Sequence, residues 1–209
     1  MSKRTIAYRR KTAEQRQQEL IAAGITCLGK GGISAFTIDR ICREANVSRG
    51  LVNHHFKSKE DLLVRIYAEM TAHLVDDMAQ SDARAQLLSI VETSFAASSF
   101  NTSNLRAWLA IWAEVGNNEA LSALHRSRYH SYTIRIAAAL DDIAASKGFP
   151  INSTSLARQV VALIDGLWLE YCLHSEGFSL ADAKQDCLDL LLAYGIDLTG
   201  VSIAAGADR

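Results

Sequence analysis

Proline is nearly missing from this chain, Pro150 being the only one, which removes the residue that most often interrupts helices. Alternating runs of Val, Ile and Thr are scarce as well, so strands find little support. The four cysteines, Cys27, Cys42, Cys172 and Cys187, lie far apart, with no C-x-x-C pair and no histidine at metal-ligand spacing beside them. Reduced thiols in a cytoplasmic protein are the plain reading. No long apolar run is uninterrupted: the most hydrophobic one, "VVALIDGLWLEYCL" from Val160, is broken by Asp165 and Glu170. With a charged rather than apolar N-terminus, neither a signal peptide nor a membrane span is indicated.

What is present is helix-forming. About half of the 209 residues are apolar, and Ala, Leu, Glu, Gln and Arg dominate, which points to an all-α fold. The near-neutral total charge conceals a split. Residues 1–65 carry 13 Lys/Arg against 6 Asp/Glu, and residues 66–209 carry 9 against 17. A basic head on an acidic body implies that the head meets an anionic partner and the body meets something else.

The order of elements follows from caps and periodicity. Met1 to Lys11, with Lys3, Arg4, Arg9, Arg10 and Lys11, reads as a flexible basic arm. The capping box Thr12-x-x-Gln15 opens a first helix with Leu20, Ile21, Ala23, Ile25, Cys27 and Leu28 on its apolar face, and Gly29, Gly31 and Gly32 are expected to end it. A second helix starts near Thr37, turns Ile38, Ile41, Cys42 and Ala45 inward, and stops at Asn46. A third spans Ser48 to His54, capped by the Ser48 hydroxyl, and Ser58-x-x-Asp61 opens a fourth with Leu63, Ile66, Tyr67, Met70 and Leu74 as its stripe. Beyond Ser81 the pattern predicts amphipathic helices over roughly 84–100, 104–115, 118–146, 153–175 and 179–195, and a disordered tail from Thr199. The expected organisation is a three-helix head over 14–74 and a helical body over 75–198.

The stretch "TIDRICREANVSRGLVNHHFKSKEDLL", Thr37 to Leu63, carries the chemistry. Two short helices joined by a few residues, the second beginning with Ser and carrying Arg, are how a helix-turn-helix reads, with its motif over about 37–56. The first helix braces on the DNA backbone and the second offers its N-terminal residues to the major groove, its free N–H groups suiting phosphate oxygens. A metal site is disfavoured, because His54 and His55 are helical neighbours about 100° apart and cannot face one ion together.

The order Thr37, Ile41, Ala45, Val47-Ser48-x-Gly50, His55-Phe56, Ser58-Lys59 and Leu62-Leu63 resembles the TetR family of bacterial transcriptional regulators. One position departs: Asn53 stands where the family usually has Tyr. The resemblance implies double-stranded operator DNA as partner, no cofactor, and DNA-facing roles for Thr37, Ser48, Arg49, Gly50, Asn53, His54, His55 and Lys59. Arg49 and Asn53 would touch bases, Asn53 by pairing its amide with adenine, and Lys59 would clamp phosphate. Thr37 and Ser48 suit phosphate contacts and plain capping equally, and Gly50 would allow close backbone approach. Ile41, Ala45, Val47, Leu51 and Phe56 would fix the angle between the helices.

In the body, "LRAWLAIWAEV" from Leu105 and "ALIDGLWLEYCL" from Ala162 resemble segments of the choline-responsive BetI subgroup of that family. Trp108 and Trp112 are spaced i, i+4, and Trp168 and Tyr171 i, i+3. Such rings, with Glu114 or Asp165 as the balancing carboxylate, would suit choline or another quaternary ammonium compound by cation–π attraction. Helical spacing of large aromatics serves a core equally well, and Asp165-Gly166 also suits tight helix packing. The family implies a homodimer, with Leu188, Leu191, Leu192, Leu163, Leu167 and Tyr171 as candidate interface residues. The function expected is a repressor released by a small ligand and regulating glycine betaine synthesis genes. The alternative is a repressor of an efflux or catabolic operon with another amphipathic inducer. An enzyme is disfavoured, since no nucleophile-base-orienter set or phosphate loop stands at recognisable spacing.

Overall fold

The computed structural model describes residues 12–72, 74, 82–96 and 100–203. The arm Met1–Lys11, the border expected after residue 74, Ser81 and the last six residues of the tail lie outside the described residues. Every regular element among the described residues is a helix: α1 (Ala13–Ala35), α2 (Ile38–Ala45), α3 (Arg49–His55), α4 (Lys59–Met70), α5 (Ala83–Ser94), α6 (Thr102–Val115), α7 (Glu119–Lys147), α8 (Ser153–Leu173) and α9 (Leu180–Ala193).

The helices start where short polar side chains meet orphan amides. Thr12 and Gln15 form the full capping box, with Gln15 N–H donating to Thr12 Oγ1 at 3.1 Å and Thr12 N–H to Gln15 Oε1 at 3.0 Å. At α4 the box is rewired: Asp61 N–H donates to Ser58 Oγ at 3.0 Å, while the Asp61 carboxylate accepts from the N–H of Lys57. α2 ends at Asn46 in the left-handed region, φ 52°, which Asn tolerates better than most residues.

Three expectations need correction. α1 does not end at Gly29; it continues to a kink at Gly31 and Gly32 and regains a last turn before Phe36. Gly29 is there for packing, because a Cβ on it would lie 2.3 Å from Ser103 Oγ and 2.5 Å from Ser103 O on α6. The helix expected over 84–100 stops at Ser94, and Phe95 leaves the helical conformation to enter the core. The tail expected from Thr199 is docked at its first residue: the Arg84 guanidinium donates to the Thr199 carbonyl at 3.3 Å as well as to the Asp197 carbonyl at 3.0 and 2.5 Å, just past the buried Leu198.

Head and body share one apolar core. In the head, Leu20, Leu28, Phe36, Ile41, Val52, Phe56 and Leu62 interlock, and each such side chain contributes about 1.5–3 kcal/mol on burial. Val52 is the buried anchor of α3, and Leu51, expected in that role, is only half-buried. α1 packs along α6 and α4 packs on α7, so the head is mounted on the body through both.

Candidate DNA interface and ligand cavity

The second helix of the two-helix motif, α3, is exposed where DNA recognition would need it. Ser48, Arg49, Gly50, Asn53 and His54 are all solvent-facing, with His55 half-buried beside Phe56. Arg49 with Asn53, and Gly50 with His54, stand i, i+4 and form two adjacent rows on one face. Lys59, the first residue of α4, is half-buried, and Lys57 just before it is exposed. The His54 and His55 rings meet edge to face, with centroids 5.2 Å apart, rather than converging on a point.

Two local details differ from expectation. Ser48 is the N-cap of α3 in extended conformation, but its hydroxyl makes no capping hydrogen bond, unlike Thr37, which accepts from Arg40 N–H at 3.4 Å. Gly50 has no close neighbour in the chain: the nearest atom to an added Cβ would be Ser48 Oγ at 3.9 Å. Any close backbone approach there must come from outside the molecule.

Arg49 is already engaged. Its Nε donates to Asp39 Oδ1 at 2.6 Å and its Nη2 to Asp39 Oδ2 at 2.5 Å, a bidentate pair between the first turns of α2 and α3. The hydrogen bonds from Arg49 hold the Asp39 carboxyl below its ordinary range, and the same pair raises the guanidinium. Residues ten apart across a turn carry no periodic signal, so Asp39 was not legible as a functional residue.

In the body, a small cavity of about 20 Å³ is lined by Leu74, Ser94, Trp108, Tyr129, Tyr132, Val161, Ile164, Asp165 and Trp168. Of the six candidate ligand residues, Trp108, Asp165 and Trp168 share this lining. Trp168 is fixed by donating its indole N–H to the Ser94 carbonyl at 3.0 Å. Three other candidates fall elsewhere. Trp112 stands behind Trp108, ring centroids 5.7 Å apart, its indole N–H buried and near the Tyr67 hydroxyl without forming a regular hydrogen bond. Tyr171 belongs to a neighbouring aromatic cluster with Phe100 and Phe178, at 4.6 and 5.3 Å, because α8 turns it a full step away from Trp168. Glu114, near the end of α6, does not line the cavity.

The residues missed are those of α7. His125, Tyr129 and Tyr132 follow an i, i+4, i+7 stripe, a helical signal that was available in the sequence. Tyr129 donates to Asp165 Oδ1 at 3.4 Å, a long bond, and burial pushes the Asp165 carboxyl up to about 7. Burial likewise raises the Tyr129 and Tyr132 hydroxyls, so both stay neutral. A 2.6 Å hydrogen bond joins Tyr67 on α4 to His125 Nδ1 on α7, where burial pushes the imidazole down. Tyr67 also packs edge to face on Trp108 at 5.6 Å, so one tryptophan touches both the cavity and the helix that carries the head.

Of the residues expected to pair with a second copy, Leu192 is exposed and Leu188 and Tyr171 are half-buried. Leu191 is buried within the subunit and Leu163 and Leu167 are half-buried against its core, whereas Leu169, Leu173, Leu192 and Tyr194 are exposed. Inward residues of α8 run Leu156, Val160, Ile164, Trp168, which places Ala162, Gly166, Leu169 and Leu173 outward. A Cβ added to Gly166, expected to serve packing, would meet nothing beyond its own helix backbone within 4 Å among the described residues.

An exposed two-helix DNA-reading face mounted on a helical body with an aromatic chamber defines a helix-turn-helix regulator. Residues 20–66 match the family described as bacterial regulatory proteins, tetR family, and residues 83–194 match the BetI-type transcriptional repressor C-terminal family. The HTH-type transcriptional regulator BetI of Cronobacter sakazakii is 32% identical over 177 residues, covering 81% of this chain and 85% of that protein. A transcriptional regulator from Pseudomonas aeruginosa PAO1 superposes with a TM-score of 0.77 at 32% identity, over 90% of this chain and 94% of that one. A regulator from Saccharomonospora viridis, solved in complex with choline, has the same fold, with a TM-score of 0.74 at 22% identity over 86% and 96% of the two chains. The chain belongs to the TetR family and is a DNA-binding transcriptional repressor with a BetI-type C-terminal domain. No helix among the described residues is long and apolar enough to cross a membrane.

Proposed function

We propose that this repressor is a homodimer released from its operator by a small organic cation of the choline type, and that it controls genes of glycine betaine synthesis. The observation that carries the reading is Asp165, a carboxyl facing a cavity walled by Trp108, Tyr129, Tyr132 and Trp168. Among the causes acting on it, burial dominates and only the Tyr129 hydroxyl opposes it. A quaternary ammonium ion supplies the missing positive charge and gains about 0.5–2 kcal/mol per well-placed ring. Affinity in the high micromolar to millimolar range follows. The choline complex of the Saccharomonospora regulator and the BetI relatives support the same ligand class.

The size of the cavity makes the ligand a switch. A volume of about 20 Å³ holds roughly one water molecule and not a trimethylammonium group, so entry requires the walls to part. The ligand then binds one conformation far better than the other, the condition for shifting an equilibrium. Trp108 and Tyr67 connect that movement to α4 and hence to α3, changing the distance between the two recognition helices of the dimer.

The test is a choline titration that follows tryptophan fluorescence and operator binding together, with the operator obtained by mapping the DNA fragments that the purified protein retains. Saturable fluorescence change with loss of DNA affinity is expected. No change up to tens of millimolar removes choline, and binding without loss of DNA affinity removes the switch.

A further inference from the structure

We propose that Asp39 is a specificity-determining residue of the repressor: it holds the Arg49 guanidinium by its Nε–Nη2 edge so that the adjoining Nη1–Nη2 edge is presented to a guanine in the operator. The proposal rests on the reading that α3 enters the major groove with Arg49 at the bases, and goes beyond it by naming what aims that side chain.

The geometry limits what Arg49 can do next. A guanidinium has five N–H donors in a rigid fork. Asp39 takes one from Nε and one from Nη2, at 2.6 and 2.5 Å, leaving both hydrogens of Nη1 and one of Nη2. One hydrogen from each remaining nitrogen forms a parallel end-on pair, which matches the O6 and N7 acceptors on the major-groove edge of guanine. Without Asp39, the long Arg side chain samples many rotamers and finds phosphates as readily as bases.

Stability does not explain the pair. Both side chains are well exposed, 67% for Arg49 and 60% for Asp39, and ion pairs of that kind contribute little to folding. A carboxylate on the DNA-facing side of a basic head also repels phosphate. Arg43, one turn further along α2, donates to the Asp39 carbonyl at 3.4 Å and adds to the field on its carboxylate, so the first turn of α2 is tied down on both sides. Orientation is what the carboxylate adds, and orientation matters only if Arg49 reads a base edge.

The test uses the full-length protein and double-stranded DNA selected from a random library with the wild type. Binding of wild type, Asp39→Ala, Arg49→Ala and the double variant is then measured on the selected operator and on operators changed one base pair at a time. Arg49→Ala should lose preference for guanine at one position of each half-site by roughly 5- to 150-fold. Asp39→Ala should weaken preference at the same position by about tenfold, bind random DNA more tightly, and keep its thermal midpoint. In the Arg49→Ala background the effect of Asp39→Ala on preference should vanish. Asp39→Ala raising affinity on every sequence with an unchanged preference profile overturns the proposal. So does a change at a different base pair, which would mean that Asp39 itself reads cytosine. If Arg49→Ala leaves every preference intact while the wild type stays selective, the base-contact assignment fails and the repressor stands.

Discussion

The Asp165 carboxyl is pushed up to about 7 because burial strips it of water and its polar compensation is one long hydrogen bond from Tyr129. Linkage gives this a sign. Between the ordinary carboxylate value of 3.8 and about 7 the folded protein holds a proton that the unfolded chain has lost, so stability falls as pH rises through that window. Above about 7 the whole penalty is present, about 4 kcal/mol. Asp165→Asn should therefore melt above wild type by a small margin at pH 5, where roughly a third of the penalty is present, and by a clearly larger one at pH 8, measured by thermal denaturation without ligand. The same variant should bind choline poorly at both pH values, because the neutral amide cannot balance the cation. An identical gap in melting temperature at both pH values would mean that the carboxyl is solvated and ionised throughout.

At the scale of elements, the contact between α1 and α6 is set by Gly29. Replacing a glycine by alanine inside a helix normally stabilises by about 1 kcal/mol through propensity. Here the added methyl would lie 2.3 Å from Ser103 Oγ and 2.5 Å from its carbonyl oxygen, so the two helices must separate. Overpacking of that kind costs about 1–3 kcal/mol, and Gly29→Ala should lower the melting temperature rather than raise it, by about 2–4 °C per net kcal/mol. A raised temperature would show that the helices part freely. The same residue marks the limit of what could be read from sequence. The starts of α1, α2 and α4 were legible, because a hydroxyl and an amide three residues on decide each of them locally. The run of α1 through Gly29 was not, since its reason is a serine far along the chain. The cavity divides in the same way: Trp108, Asp165 and Trp168 stood out by residue type, whereas Tyr129 and Tyr132 come from a long helix that looked merely amphipathic. Trp112 and Tyr171 had the right chemistry but face a step away from the chamber, which only the rotation of α6 and α8 against their neighbours decides.

For the whole molecule, the outward face of α8 and α9 poses a problem that a second copy solves. Leu173 is 72% exposed, Leu192 53% and Leu169 42%, an apolar group that a soluble monomer would not usually leave in water. Beside them Gly166 has open space around its Cα, so another helix can approach its backbone closely. Two helices from each copy packing antiparallel would form a four-helix bundle with an interface of the size stable dimers need, roughly 1,200–2,000 Å². A dimer also presents two recognition helices, and half-sites about 34–36 Å apart can then be read together. Leu173→Glu combined with Leu192→Glu changes only exposed side chains and should leave a folded subunit. Light scattering at micromolar concentration should show wild type as a dimer and the double variant as a monomer with unchanged helical circular dichroism. The monomer should bind the full operator little better than a single half-site, since the second head no longer adds its contacts. A double variant that stays dimeric would move the interface to another face of the body, and one that becomes monomeric yet binds the operator undiminished would remove the need for two heads.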